Sequence, residues 1–204
     1  MNPPPLVNYL IAQNETLPVF NASMYEFIMA GNGVILRSIR EGLSVIAPFL
    51  EGTIPGLAFI PPQFHLQYPK VPSHLLEEIL RLSQQVAPKE ILFHLCWSSN
   101  RWQLKIPPQT NDLFSVTRLD SSANILIELH SHHIMEARFS SQDNLEESGF
   151  KIYGVIGKIF TQPILRLRVG IYHRLFWEIP ADWVFEMPPQ IYDALSSDDG
   201  LFLP

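Results

Sequence analysis

The sequence predicts an α+β chain with a β-rich N-terminal extension, and three observations carry that expectation. One stretch, 73–87, has apolar residues at helical spacing. Short runs rich in β-branched and aromatic residues lie on both sides of it. Five of the 18 prolines, Pro55, Pro61, Pro62, Pro69 and Pro72, cluster in the segment from Gly52 to Pro72, and proline neither donates to a ladder nor fits inside a helix. At 204 residues and 47% hydrophobic, the chain has material for one domain and an extension. The expected division is 1–70, a hairpin followed by a proline-rich connector, and 71–204, the main domain.

Within 1–70, Val34-Ile35-Leu36 and Leu43-Ser44-Val45-Ile46 read as hairpin strands turned at Arg40-Glu41-Gly42, and Gly31-Asn32-Gly33 as a strand bend. Ser73 is placed to cap a helix whose apolar face is Leu75, Leu76, Ile79, Leu80, Leu82 and Val86, ended by Ala87-Pro88. Strands are expected at 90–97 and 101–106 around the turn Ser98-Ser99-Asn100, then at 114–118 and 125–131. A short helix is expected at 141–148, and further strands at 151–160 and 164–178. Trp97 and Trp102 read as core or cross-strand partners, Cys96 as a small buried hydrophobe, and Ser196–Asp199 as a disordered acidic tail.

Composition excludes several functions. Twenty acidic residues against 14 basic give a net charge of −6, whereas phosphate binding needs a clustered basic excess. A lone cysteine excludes a disulfide framework and a cysteine-rich zinc ribbon. No apolar run approaches the roughly 20 residues that span a bilayer. The start Met1-Asn2-Pro3-Pro4-Pro5 lacks the basic and apolar regions of a signal peptide. A cytoplasmic protein with neither nucleic-acid nor membrane partners is expected.

The informative segment runs from Leu129 to Asp143. His130 and His132 are two apart at the end of a predicted strand, so both imidazoles face one side. Asp143 falls in the first turn of the next helix and could return to the same point. Two imidazoles and a carboxylate leave one position of a tetrahedral zinc open, as hydrolysis requires. Exposed strand-end histidines and a helix-capping Asp are the bland alternative, and for an isolated His-x-His the commoner one. Ser140 and Asp143 at these offsets shift that balance.

His130-Ser131-His132, followed by Ser140-x-x-Asp143, resembles the signature of the JAMM (MPN+, JAB-domain) metalloisopeptidases. The resemblance covers about residues 73–178 and is specific around 128–147. It implies an MPN/JAB-like (cytidine-deaminase-like) sheet flanked by helices, with Zn2+ on His130, His132 and Asp143. It also implies an upstream glutamate as general base and acid, matched by Glu90 just after the first helix and 40 residues before His130. Ser140 would stabilise the oxyanion. The implied substrate is a ubiquitin-like protein or its conjugate, cleaved at an isopeptide or C-terminal peptide bond.

Two positions depart from the family pattern. His133 stands where proline follows the second histidine, and Phe93 where a glycine follows the glutamate. Neither removes a ligand. The His-Ser-His-His variant, with Gly149-Phe150-x-Ile152-Tyr153-Gly154 behind it, looks most like a prokaryotic branch.

Rivals remain at several positions. Glu26, Glu41, Glu128 and Glu136 are other candidate bases, Glu128 the best of them because it shares the histidines' strand face. Ser140 or Ser141 could simply cap the helix. His133 reads as lining or structural. Glu146 and Glu147 read as a solvated helix face, and Arg166, Arg168 and Arg174 as a solvated strand face. An inactive scaffold of the same fold and a non-haem iron oxygenase stay open as other functions. A His-x-His amidohydrolase barrel needs roughly 250 residues. Gly154-x-x-Gly157-Lys158 lacks the spacing of a phosphate-binding loop.

Overall fold

The computed structural model describes residues 3–111, 116–118 and 125–195. They fall into two compact units, one ending at Gln67 and one beginning at Tyr68.

The first unit is a five-stranded sheet: β1 (Val7–Ile11), β2 (Tyr25–Ala30), β3 (Gly33–Arg40), β4 (Leu43–Glu51) and β5 (Gln63–Leu66). They lie side by side in chain order, β1 parallel to β2 and the rest antiparallel. Alternation sends Ile28, Ala30 and Ile35 to one face, where they pack with Ala12 and Ile60. The expected hairpin is thus the middle of a larger sheet. Gly31-Asn32 forms the β2–β3 turn instead of a bend within a strand. Gly33, at φ 116, tolerates no side chain, because a Cβ would lie 2.1 Å from the Leu50 carbonyl oxygen. The proline-rich connector is corrected too: Gln63–Leu66 pairs with β4 at the sheet edge, between prolines that lie outside the strand.

The second unit holds α1 (Ser73–Val86), β6 (Leu92–Ser98), β7 (Arg101–Lys105), β8 (Gln109–Asn111), β9 (Val116–Arg118), β10 (Ile127–Ser131), α2 (Ser141–Glu146), β11 (Phe150–Gly157), β12 (Ile164–Ile171), β13 (Leu175–Ile179) and β14 (Tyr192–Asp193). A seven-stranded mixed sheet runs β13-β12-β11-β10-β6-β7, with β14 on β12. β10 is parallel to β11 and antiparallel to β6. Mixed sheets with two helices make the described residues α+β, and neither helix is long and apolar enough to cross a membrane.

Local chemistry sets the element ends. Pro72, not Ser73, occupies the cap position of α1, and no side chain caps it. Ala87 ends the helix in an extended conformation, as a residue before proline is pushed to do. Ser83 is buried inside α1 because its hydroxyl donates to the Ile79 carbonyl at 2.8 Å. Ser99 and Asn100, at φ 53 and 57, make the two-residue turn of β6 and β7. That hairpin pairs Trp97 with Trp102, their rings 5.6 Å apart. The strand region expected over 164–178 is two strands, reversed where Tyr172 and His173 take φ 47 and 56. α2 ends at Glu146, two residues short of expectation. Of the strand expected at 114–118, only Val116–Arg118 is described, paired with β8. The tail Ser196–Asp199 lies outside the described residues.

Candidate metal centre

β10 carries His130, delivers His132 directly after its last residue, and is held on each side. His132, just past its end, donates its backbone N–H to the Ile156 carbonyl of β11 at 2.7 Å. On the other side, the Ile91 N–H donates to Ser131 Oγ, and the Ser131 N–H donates back to the Ile91 carbonyl, each at 3.1 Å. This reciprocal pair joins residues 40 apart in sequence. It fixes Glu90, the neighbour of Ile91, beside the histidines that flank Ser131.

The ring nitrogens His130 Nε2 and His132 Nε2 lie 3.2 Å apart. His132 Nδ1 is 3.1 Å from the Glu136 carbonyl, an acceptor that suits the tautomer with its proton on Nδ1 and its lone pair on Nε2. Burial pulls the pKa of His130 down to about 4 against the opposing pull of the Asp143 charge. The ring is therefore neutral, the form that ligates metal.

Asp143 arrives from α2. Ser140 Oγ accepts the Asp143 N–H at 3.1 Å, and Asp143 Oδ2 accepts the Ser140 N–H at 2.5 Å, a reciprocal capping box. The cap occupies Oδ2, and Oδ1 stands 3.5 Å from His130 Nε2. The ligand atoms of His130, His132 and Asp143 all lie within 4.8 Å of one another.

Glu90 completes the cluster, with Oε1 3.6 Å from His132 Nε2. It is buried, and Oε1 has no hydrogen-bond partner. Burial, and behind it the Asp143 charge, push its pKa up to about 7. An orphaned buried carboxylate oxygen beside two imidazole nitrogens and a second carboxylate fits a divalent cation.

The structure thus brings together His130, His132, Asp143 and Glu90, with Ser140 joined through the cap. The rival glutamates are engaged elsewhere. Glu26 lies in the first unit, where it accepts from Arg37 Nε at 2.7 Å and from the Asn21 N–H at 3.0 Å. Glu41 is an exposed turn residue. Glu128 Oε2 sits 3.1 Å from Lys151 Nζ and 3.5 Å from His94 Nε2. Glu136 pairs with Lys158 at 2.6 Å. His133 is buried, and its carbonyl accepts the Ile159 N–H at 2.8 Å, so it helps lay the loop after β10 on the end of β11.

The expected solvated faces hold for Glu146 and Arg174, which are exposed, and fail at Glu147 and Arg168. Arg168 and Glu147 are each only 5% exposed and form an ion pair at 2.7 Å. Strand parity placed Arg168 on a face but could not show that α2 and Phe139 cover that face. Ser131 was overlooked because its contribution depends on a partner far away in sequence.

No family model matches the chain, and no curated protein matches it. Among solved structures, a JAB1/MPN domain protein from Archaeoglobus fulgidus is similar at 16% identity, over 55% of this chain and 94% of that one, with a TM-score of 0.39.

Proposed function

We propose that the chain is a zinc-dependent hydrolase of the JAMM type, acting on an isopeptide or C-terminal peptide bond of a ubiquitin-like protein conjugate. The observation that carries this reading is the convergence of His130, His132 and Asp143 with Glu90, whose buried Oε1 has no hydrogen-bond partner. In this reading the second unit is the MPN/JAB-like domain, and His130, His132 and Asp143 hold the ion. Zn2+ there would supply Lewis acidity, bringing the pKa of a coordinated water to about 7. Glu90 takes a proton from the attacking water. As the carbonyl–nitrogen bond breaks, Glu90 passes that proton to the departing amine. Ser140 uses Oγ only as an acceptor within the cap, so its hydroxyl proton can be donated to the oxyanion.

Finer resemblance, on the His-Ser-His-His variant and the Gly149–Gly157 segment, is to protein A of the plasmid-linked PRTRC system. A cytoplasmic setting and a co-encoded ubiquitin-like partner belong to the same proposal.

The test is zinc per chain in protein purified without chelator, together with cleavage of a fusion to a ubiquitin-like protein. Wild type should hold one zinc, Asp143→Ala should lose it, and Glu90→Gln should keep it while losing turnover. A wild type without zinc would sink the reading. A zinc-loaded wild type that cleaves nothing would leave a scaffold of this fold.

A further inference from the structure

We propose that Arg168 is a positioning residue for the metal centre: it fixes α2 on the sheet and thereby sets where Asp143 stands. The proposal rests on the metal-centre reading above.

The starting point is the weakness of α2. Six residues do not hold a helix in water without outside contacts, and none of its side chains is buried. Leu145, its one large apolar residue, is 73% exposed. The capping box stabilises the first turn internally, but an internal bond cannot say where the helix lies.

Arg168 can. It projects from the middle of β12, buried, and Nη1 donates to Asn144 Oδ1 at 2.7 Å while Nε donates to Glu147 Oε2 at 2.8 Å. Those acceptors follow Asp143 by one and four residues, so the fork grips the helix directly after the ligand and again at its C-terminal cap. The guanidinium carbon also lies 3.7 Å from the centre of the Phe139 ring and 4.0 Å from that of Phe176. Phe139 immediately precedes the cap residue Ser140, and Phe176 belongs to β13. One planar cation therefore ties the residue before the helix, the helix and its C-terminal cap to two strands. Lysine matches neither the fork nor the stacking, though it keeps the charge.

The experiment uses the full chain, with Zn2+ and Co2+ as probes. Affinity is measured by competition with a chromophoric chelator, the coordination sphere by the visible absorption of the cobalt complex, and folding by the melting temperature without metal. Arg168→Lys should bind Zn2+ about 10- to 100-fold more weakly, the loss typical of partners that orient a ligand. Its cobalt spectrum should move toward that of Asp143→Ala. Asn144→Ala, which removes one of the two side-chain acceptors and keeps Glu147, should give a smaller loss in the same direction. Wild-type affinity and an unchanged cobalt spectrum in both variants would overturn the proposal, even if Arg168→Lys melts earlier. If Arg168→Lys fails to fold, Asn144→Ala decides alone. A wild type that binds neither ion sinks the metal-centre reading itself, a result distinct from unequal binding among variants.

Discussion

Glu90 shows how a single buried carboxyl can work against the fold that holds it. Its pKa is raised to about 7 by burial and by Asp143, so without metal the folded state resists its ionisation. A carboxyl raised in this way contributes stability below its unfolded pKa and loses it as pH climbs through the folded value. Removing the charge should therefore help the metal-free protein at high pH. Glu90→Gln is expected to raise stability by on the order of 2 kcal/mol at pH 8 and by nothing near pH 4. Chemical denaturation in the presence of chelator at the two pH values measures this, and equal stability at pH 8 would refute it. His130, His132, Ser140 and Asp143 were legible because they sit within one short stretch of chain. Glu90 was legible only through a resemblance. Ser131, Glu147 and Arg168 were not, because their contributions depend on atoms 40, 21 and 24 residues away.

At the scale of elements, the loop after His132 is held against the end of β11. The Lys158 N–H donates to the Met135 carbonyl at 2.8 Å, and Arg166 Nε donates to the Ala137 carbonyl at 2.8 Å. Gly157 makes that approach feasible, since a Cβ there would lie 2.4 Å from the Ala137 nitrogen and 2.6 Å from the Met135 oxygen. Both are backbone atoms and cannot turn away. Gly157→Ala should then cost about 1–3 kcal/mol of stability and weaken zinc retention by displacing the Glu136 carbonyl from His132. A denaturant titration paired with zinc analysis measures both effects, and an alanine variant with wild-type values would contradict the argument. Periodicity found α1 and β10 because burial imposes a regular pattern on each. It missed the β12–β13 reversal because Tyr172 and His173 adopt positive φ without a glycine to announce it. It missed β5 because an edge strand leaves little room for alternation between prolines.

At the scale of the molecule, the proposed ion ties β10 and the residues after it to α2 through His130, His132 and Asp143, and its removal should be felt throughout the second unit. A ligand present at a thousandfold excess over its Kd stabilises the folded state by about 4 kcal/mol. Chelation is therefore expected to lower the melting temperature of wild type and to leave that of Asp143→Ala unchanged. A calorimetric scan with and without chelator decides it, and equal shifts in the two proteins would count against the ligand set. The first unit has its own small core and a buried ion pair between Glu26 and Arg37. The existence of a separate N-terminal segment was legible in the proline distribution. Its five-stranded sheet was not, because β1 and β5 are short and bury no residue fully.

The tryptophan pairing has an optical consequence. All four tryptophans belong to the second unit, as two edge-to-face pairs: Trp97 with Trp102, and Trp177 with Trp183 at 6.2 Å. Light absorbed at the red edge of the indole band therefore interrogates only the part of the chain that carries His130 and His132. Far-ultraviolet dichroism registers both units. If the two melting traces fail to superimpose, the interval between them reads out directly how far the N-terminal sheet outlasts, or yields before, its neighbour.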